Sequence, residues 1–301
     1  MSTSVLYDVP GPRARVRNAL LTVVGLVLVL GVAWFVISGF NAKGQWEGKI
    51  WKPFLDPVTW TAYILPGLWG TLKAAAVAAV LALVFGAVFG LARLSDHRWI
   101  RLPAGFVVEV LRSIPLLLLI FFIFYLAPDI MGGGDYAFVA VVSGLMLYNG
   151  SVLAEIVRSG VLAVSKGQSE AAYGIGLRKN QVMRLVLLPQ AVTAMMPAIV
   201  SQLVVLLKDT ALGYIIAYVD LLNIGFKVFP AVNYGSLIPA AIVIGIIYIA
   251  INMALSALAT WLEKRSRRSR KTSAKPIEPP GALPTGMAPG TPGAGAIATM
   301  E

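Results

Sequence analysis

The sequence predicts an all-α, polytopic membrane protein with six transmembrane helices. Of its 301 residues, 58% are hydrophobic and only 13% are charged, whereas about a quarter of a soluble domain is charged. The apolar residues form long uncharged runs, of which Ala19–Phe40 is the clearest. At a rise of about 1.5 Å per residue, this run is long enough to cross about 30 Å of hydrocarbon.

The first apolar run could be a signal peptide or an uncleaved anchor, because Arg13, Arg15 and Arg17 precede it. It is longer than the apolar core of a signal peptide, which has about 7–15 residues, and this favours the anchor. The fifth run is interrupted by Pro197. The five further predicted spans are Leu68–Ala92, Ala104–Ala127, Tyr136–Val157, Gln190–Leu207 and Ser236–Leu262.

The charges of the loops orient these spans. With the N-terminus inside, eighteen Lys and Arg residues fall on one side of the membrane and five on the other. Since basic residues are enriched in cytoplasmic loops, we expect both termini to be cytoplasmic. The predicted division is a cytoplasmic N-terminus (1–18), an extra N-terminal helix (19–40), an outer interfacial segment (41–66), a transmembrane domain (67–265) with a cytoplasmic loop (158–189), and a basic, then Pro/Gly/Ala-rich disordered tail (266–301).

Two segments on the outer side are not predicted to cross the membrane. Residues 41–66 carry Trp46, Trp51 and Trp60 among scattered charges, as is typical of an interfacial segment with aromatic anchors. Asp209–Gly235 is apolar but broken by Gly and Pro. A seventh span here would reverse the charge bias of the C-terminus, so we expect short helices or a re-entrant segment.

Several functional classes lack the residues they require. Cys is absent and His97 is the single histidine, so we expect no metal site. The basic residues lie between apolar runs rather than on a soluble face, which argues against binding to nucleic acid. No Gly-x-x-x-x-Gly-Lys-[Ser/Thr] run is present, so this chain is expected to bind no ATP itself.

The cytoplasmic loop 158–189 is predicted to contain helical segments. Ser169 is a possible N-cap before the helix formers Glu170, Ala171 and Ala172, and Gly174 and Gly176 offer places to stop. A second helical stretch, Lys179 to Leu188, is expected to end at Pro189. The alternative is a solvated connecting loop.

This loop resembles that of the membrane subunits of ATP-binding-cassette importers. The resemblance is carried by Glu170-Ala171-Ala172, Gly176 and Val186-Leu187-Leu188-Pro189, with Val186 in place of the usual Ile. It covers roughly residues 60–265, so the first span and the tail lie outside the shared five-span core. The resemblance implies a permease in the bacterial inner membrane.

Neighbouring segments resemble the branch that imports polar amino acids, with the glutamate/aspartate-type permeases closest. These segments are 154–161 with Gly167-Gln168, 112–116, and 208–212. The branch commonly has Arg-Gly-Thr-Pro-Leu and Lys-Asp-Thr-Ser-Leu. Ser113, Ile114 and Ala211 depart from these patterns, which weakens a substrate assignment more than it weakens the branch.

The family resemblance implies partners and a coupling role. A short helix at about Ser165–Ile175 would dock on a cytoplasmic ATPase dimer, which binds ATP and Mg²⁺, and would transmit its closure to the spans. Further implied partners are a second permease subunit, more often a related chain than a copy, an extracytoplasmic binding protein and the lipid bilayer. The coupling residues would be Gly167, Gln168, Glu170, Ala171, Ala172, Gly176 and Pro189.

Charged residues within the third and fourth predicted spans are candidates for the translocation path. Glu109 and Arg112, one helical turn apart, could neutralise each other, or Arg112 could face the path and meet a substrate carboxylate. Pro115 should kink this span. Glu155 and Arg158 repeat the spacing in the fourth span, where a structural pair is favoured over a path role.

Other polar groups have structural alternatives. We expect Asn149, Ser151 and Gln202 to make interhelical hydrogen bonds, and Asn149 and Gln202 are also path candidates. Lys208 and Asp209 at the outer end of the fifth span are either a helix-end ion pair or a gate. Gly86 and Gly90 permit a close helix contact in the second span.

Two other functional classes compete with the permease interpretation. A secondary transporter or channel would favour an internal repeat and a midplane ion site, and no repeat is evident. A membrane-bound enzyme would need a nucleophile or metal constellation, and none is recognisable. Neither class explains the Glu-Ala-Ala loop.

Overall fold

The computed structural model of the chain describes residues 11–229 and 237–271. Within these ranges all regular structure is helical. Five helices there are long and apolar enough to cross a membrane, and a bent pair of helices makes a sixth if it counts as one span. The all-α prediction is therefore confirmed, with five or six spans in place of the predicted six.

The helices follow the predicted order and differ from the prediction mainly at their ends. The first begins at Pro12, whose fixed φ and missing N–H suit the first turn of a helix. None of its residues is buried. The main helices are α1 (Pro12–Ala42), α2 (Pro57–Ala92), α3 (Arg98–Ser113), α4 (Leu116–Met131), α5 (Tyr136–Leu162), α6 (Lys166–Gly174), α7 (Lys179–Ile216) and α8 (Leu237–Lys271).

The second span begins eleven residues earlier than predicted. Asp56 starts α2 as an N-cap, because its Oδ1 accepts a hydrogen bond from the backbone N–H of Val58 at 2.9 Å. Before it, the indole N–H of Trp51 donates to the carbonyl oxygen of Gln45 at 3.0 Å. Phe54 is buried against the N-terminal parts of α2 and α8. Part of the segment 41–66 thus packs with the transmembrane helices.

The prediction of a single third span, Ala104–Ala127, is wrong. The chain bends by 99° between α3 and α4. Ile114 has an extended backbone (φ −85°, ψ 127°), because the ring of the following Pro115 disfavours the helical region for the residue before it. Pro115 therefore lies between two helices, and Glu109 and Arg112 lie on α3, before the bend, and not on α4.

The core of the bundle is formed where α2 packs against α5. A Cβ atom on Gly86 would lie 2.6 Å from the Cβ of Leu153, and one on Gly90 would lie 2.7 Å from the Cβ of Val157. Glycine at both positions is what lets the two helices approach so closely. The predicted role of this glycine pair is confirmed.

Helix α7 is longer than the predicted fifth span. The helical stretch expected to end at Pro189 instead continues through it, and Pro197 also lies inside the helix. A π-helical turn at Val182–Leu187 changes the hydrogen-bond register just before Pro189, which accommodates the missing N–H of the proline.

Between α7 and residue 229 the described chain has no helix long and apolar enough to span a membrane. After the 3₁₀ end of α7 at Thr210–Ile216, it forms a short helix at Leu221–Asn223 and a π-helical turn at Ile224–Val228. This matches the expected short helices as far as residue 229. Residues 230–236 lie outside the described residues, as does most of the tail predicted at 266–301. The start of that tail, residues 266–271, instead continues α8.

Candidate functional site

The loop between α5 and α7 carries the short helix α6 that was expected at Ser165–Ile175. Ser165, not Ser169, precedes its first residue, since the N–H of Gln168 already bonds to the carbonyl oxygen of Ser165 at 3.0 Å. The hydroxyl of Ser169 donates to the carbonyl oxygen of Lys166 inside the helix. The prediction of Ser169 as the N-cap is therefore wrong.

Gly176 ends α6 in a Schellman motif. The N–H of Leu177 bonds to the carbonyl oxygen of Ala172 at 3.2 Å, and the N–H of Gly176 bonds to that of Tyr173 at 2.9 Å. Gly176 has a φ of +85°, a left-handed conformation that glycine adopts without strain. This is the tight turn expected there.

Most of α6 is available for contact with another protein. Ala172 is buried, whereas Gly167, Gln168, Glu170 and Ala171 are exposed. Two larger apolar side chains at its end, Tyr173 and Ile175, are also exposed. The helix thus rests on the protein through one small residue and presents the rest of its surface outward.

Two polar contacts tie the loop to the transmembrane helices. Gln190 on α7 is the residue after Pro189, and its side-chain amide donates a hydrogen bond to Oε1 of Gln168 at 3.3 Å. Lys179 at the start of α7 forms a salt bridge with Asp96 in the turn between α2 and α3. The hydrogen bond and charge of Lys179 lower the pKa of the Asp96 carboxyl. The Asp96–Lys179 pair joins two loops far apart in the sequence and was not predicted.

A cluster of ion pairs joins α2, α3 and α5 near the start of this loop. Arg93, at the end of α2, has a nearly buried side chain and lies 2.6 Å from Oε2 of Glu155 and 3.3 Å from Oε1 of Glu109. Glu155 also contacts Arg158 at 3.1 Å and Arg112 at 3.7 Å. Glu155 is therefore the centre of the cluster.

The cluster contains one of the two sequence-based pairings and lacks the other. The predicted pair Glu155–Arg158 is present. The predicted pairing of Glu109 with Arg112 is wrong, because each contacts a residue on another helix instead. From the sequence, Arg93 was counted only as a loop charge. Its position directly at the end of a span was a signal that it could form an ion pair with another helix.

A hydrogen bond links α5 and α7 within the spans. The side-chain N–H of Gln202 donates to Oδ1 of Asn149 at 2.7 Å, as expected for interhelical polar contacts. Asn149 is fully buried. The hydroxyl of Ser151 instead donates to the carbonyl oxygen of Tyr148 on its own helix, so its expected interhelical bond is wrong.

The C-terminal end of the α-helical part of α7 differs from the simplest expectation. Among the described residues, no salt bridge at contact distance joins Lys208 to Asp209. Lys208 lies instead beside a cavity between α7 and α8. Within the described ranges, no cluster of three or more His, Asp or Glu residues is placed to hold a metal ion.

Two hydrogen bonds hold the segment after α7 against α2. The hydroxyl of Tyr218 donates to the carbonyl oxygen of Gly70 at 2.8 Å, and the N–H of Leu221 donates to the hydroxyl of Thr71 at 3.1 Å. Asp220 is buried between them and caps the short helix through the N–H of Asn223 at 2.7 Å. Burial raises the pKa of Asp220 to about 7.

A protein-family model matches residues 82–268, and its description is "Binding-protein-dependent transport system inner membrane component". The chain is 44% identical over 232 residues to the glutamate transport system permease protein GluD of Corynebacterium glutamicum, covering 76% of this chain and 84% of that protein. It is 35% identical over 205 residues to the probable glutamine ABC transporter permease protein GlnP of Bacillus subtilis, covering 68% and 94%.

Solved structures with this fold are also transporter subunits. The chain matches the crystal structure of an amino acid ABC transporter with histidines at a TM-score of 0.64 and 32% identity, covering 70% of this chain and 98% of that one. It matches the inward-facing MetNI methionine ABC transporter at a TM-score of 0.60 and 20% identity, with the same coverage. The second match shows the shared fold alone.

Proposed function

The chain belongs to the family of binding-protein-dependent transport system inner-membrane components, and from this membership we propose that it imports glutamate or aspartate. It is the permease subunit of an ATP-binding-cassette importer for amino acids and not an enzyme. The family implies that ATP is hydrolysed on a separate subunit and that a binding protein delivers the substrate. No nucleic acid takes part in this function.

The proposed substrate class is supported by the names of two relatives. GluD, at 44% identity, is a glutamate permease by name. A further relative, the glutamate/aspartate import permease protein GltK of Escherichia coli O157:H7, is 28% identical over 211 residues and is covered for 93% of its length. Lys208, which the loop charges place toward the outer side, suits an anionic substrate by its charge.

The observation that carries the coupling role is the exposed helix α6. A rigid helix that seats in a groove transmits a displacement, whereas a flexible loop does not. We place Glu170, Ala171 and Gly167 of α6 in that groove, with Gly176 holding the end of the helix. Gln168 and Lys179 then pass the displacement to α7 and to the turn between α2 and α3 through the contacts described above.

The remaining arrangement is part of the same proposal. The ATPase is a dimer that binds ATP and Mg²⁺ at the cytoplasmic face, and both termini of the permease lie on that side, in agreement with the positive charge of its loops. A second permease subunit, a related chain rather than a copy, completes the translocation path. We keep Arg112, Asn149 and Gln202 as residues near that path, with Pro115 fixing the bend beside Arg112.

Purification and uptake test this proposal. The tagged permease, expressed together with its binding protein, ATPase and permease partners, should co-purify with the ATPase and should support ATP-dependent uptake of labelled glutamate in proteoliposomes. Unlabelled aspartate should compete, whereas arginine and histidine should not. Uptake that proceeds without ATP or without the ATPase would contradict the importer and would indicate a secondary transporter or channel.

Variants of α6 test the coupling role separately. Replacing Glu170 with Lys, or Gly176 with Trp, should abolish uptake while the protein inserts at normal abundance. Replacing Lys166 with Gln, in the exposed first turn of the same helix, is the matched control and should leave uptake near the wild-type level. Wild-type uptake by the Gly176→Trp protein would contradict the coupling role.

A further inference from the structure

Helix α3 carries an exposed apolar face that the function described so far does not use. The face consists of Trp99, Leu102 and Phe106, whose spacing of three and then four residues places them along one side of the helix. These residues are 92%, 63% and 70% exposed. Ala104 and Val108 are buried on another side, by which α3 rests on the protein. Within the described part of the chain, no other element covers the apolar face.

Two arginines border the apolar face. Arg98 and Arg101 are exposed and are three residues apart, so they are neighbours on the surface of the helix. Neither makes a salt bridge among the described residues. Arg101 interacts electrostatically with Asp96, but that carboxylate is in contact with Lys179 instead. Both guanidinium groups are therefore available to an anion.

A groove joins one of these arginines to the apolar face. It has a volume of about 630 Å³ and is lined by Arg98, Trp99, Leu102, Pro103 and Phe106. A cation lies at the end of the groove where the helix begins, and the rest of its wall is apolar. This arrangement suits a molecule with an anionic head and an apolar chain.

The bend before α4 sets the direction of α3. Helix α4 packs against α5, because a Cβ atom on Gly144 of α5 would lie 2.6 Å from Cγ1 of Ile120 on α4. Helix α5 is long and apolar enough to cross a membrane, and α3 is turned by 99° from α4. Helix α3 therefore runs across the bundle, close to the plane of the membrane.

Ion pairs fix α3 at the end of the bundle that carries the α6 loop. Glu109 of α3 contacts Arg93, the residue after the end of α2, at 3.3 Å. Arg112 of α3 contacts Glu155, two turns before the end of α5, at 3.7 Å. The loop charges assign this end to the cytoplasmic side. Helix α3 thus lies where the lipid headgroups of the cytoplasmic leaflet meet the acyl chains.

The charge of the helix selects the kind of lipid. Amphipathic helices at this boundary place Trp, Phe and Leu among the acyl chains and basic residues among the headgroups, and anionic lipid strengthens their binding. A zwitterionic lipid covers the apolar face but brings no net charge to Arg98 and Arg101. The phosphate of an anionic lipid accepts charge-assisted hydrogen bonds from a guanidinium group and also neutralises it.

We propose that α3 binds an anionic phospholipid of the cytoplasmic leaflet. The phosphate lies between Arg98 and Arg101, and an acyl chain lies in the groove along the apolar face. This inference goes beyond the import of amino acids and rests on the proposed function only for the assignment of the cytoplasmic side. It adds a lipid site next to the ion pairs that hold α2, α3 and α5 together.

Quenching of tryptophan fluorescence by brominated lipids tests the site, because bromine on an acyl chain quenches an indole that it contacts. The complete transporter, with both permease subunits and the ATPase, is placed in phosphatidylcholine vesicles with increasing amounts of brominated phosphatidylglycerol or brominated phosphatidylcholine. The signal of Trp99 is the difference between the wild type and Trp99→Phe. With two arginines at the headgroup, brominated phosphatidylglycerol should quench it at a concentration about tenfold lower than brominated phosphatidylcholine.

Trp34 is the internal control for this measurement. It is exposed on α1, and no basic residue lies within four positions of it in the sequence. The signal of Trp34, obtained with Trp34→Phe, should be quenched equally by both brominated lipids. A preference of Trp34 for phosphatidylglycerol as large as that of Trp99 would overturn the assignment to the arginines of α3.

Arginine variants test the contact with the headgroup. Arg98→Gln and Arg101→Gln should each lower the preference of Trp99 for brominated phosphatidylglycerol by about fivefold. Both side chains are exposed, so neither change removes a packing contact. Arg17→Gln is the matched control, since it removes the same charge from an exposed residue of α1 outside the groove. It should leave the preference unchanged, and an equal loss there would overturn the specific contact.

The lipid site and the proposed function fail in different ways. Equal quenching of Trp99 by the two brominated lipids in the wild type would overturn recognition of the headgroup. Absence of quenching by either lipid would show that a partner protein covers the apolar face, and would overturn the lipid site. None of these measurements needs ATP, so failure of the proposed function would be seen separately, as absence of ATP-dependent glutamate uptake by the same vesicles.

Discussion

Replacing Glu155 with Ala should destabilise the permease more than any other single change in the ion-pair cluster. The Arg93 side chain is only 9% exposed, and its closest carboxylate oxygen, at 2.6 Å, belongs to Glu155. Without Glu155, Arg93 keeps only Glu109, at 3.3 Å, whose side chain is 71% exposed. The variant therefore leaves a poorly compensated charge among packed helices.

The size of the effect follows from the burial of both partners. Removing one partner of a fully buried pair costs about 3–5 kcal/mol. Glu155 is 29% exposed, so solvent screens part of this loss, and we expect about 2 kcal/mol. For a domain of this size, about 2 kcal/mol lowers the midpoint of thermal unfolding by about 4–8 °C. Glu155→Gln keeps the shape of the side chain and one hydrogen-bond acceptor. Its midpoint of thermal unfolding should lie between those of the wild type and Glu155→Ala.

The measurement is thermal unfolding of the detergent-solubilised complex, followed by tryptophan fluorescence at one heating rate, because unfolding of membrane proteins is commonly irreversible. Arg158→Ala is the control. Arg158 contacts the same carboxylate but is 37% exposed, so its loss should cost less than about 1 kcal/mol. Equal midpoints for Glu155→Ala and Arg158→Ala would refute the argument that burial of Arg93 decides the energy.

Three further predictions concern glycine contacts and a buried acid. Gly86→Ala should lower the abundance and thermal midpoint by an overpacking cost of about 1–3 kcal/mol, since its Cβ would lie 2.6 Å from that of a facing leucine. Gly176→Val should reduce ATP-dependent uptake strongly and Gly176→Asn only slightly, because asparagine tolerates a φ of +85° and valine does not. Asp220 has a pKa raised from 3.8 to about 7, so the folded state binds more protons than the unfolded one between these values. Thermal stability should therefore fall as the pH rises from about 4 to about 7, and Asp220→Asn should flatten this dependence.

Each of these predictions has a matched comparison. Gly25→Ala, in open space on α1, should leave the midpoint unchanged, and an equal loss there would show that the effect is not one of packing. Equal uptake by the valine and asparagine variants of Gly176 would contradict the role of its backbone conformation. An unaltered pH profile for Asp220→Asn would mean that another group titrates.

Much of the fold follows from local properties of the sequence. Long apolar runs separated by charged loops predict spans whatever the helices pack against, because the bilayer excludes charge everywhere. The glycines at 86 and 90 predict a close helix contact because only their spacing matters. The turn at Gly176 was predictable for the same reason, since helix formers precede it and glycine commonly ends a helix.

Ion pairs between residues on different helices could not be predicted from local sequence. Glu109 and Arg112 lie one turn apart, yet the 99° bend after α3 directs them to Arg93 and Glu155 on other helices. Residues three apart can pair on an isolated helix, but a partner supplied by a neighbouring helix competes with that contact. Which partner is nearer depends on how the helices cross.

The sequence by itself determined that this chain is a membrane permease, and it predicted the helical cytoplasmic loop, because hydrophobic length, loop charge and the Glu-Ala-Ala pattern are all local. Only the tertiary structure decided that Glu155 holds three arginines and that Lys208 lies beside a cavity between α7 and α8. Hydrophobicity acts on every residue separately, whereas an ion pair or a cavity between helices exists only where packing brings separate helices within a few ångströms of each other.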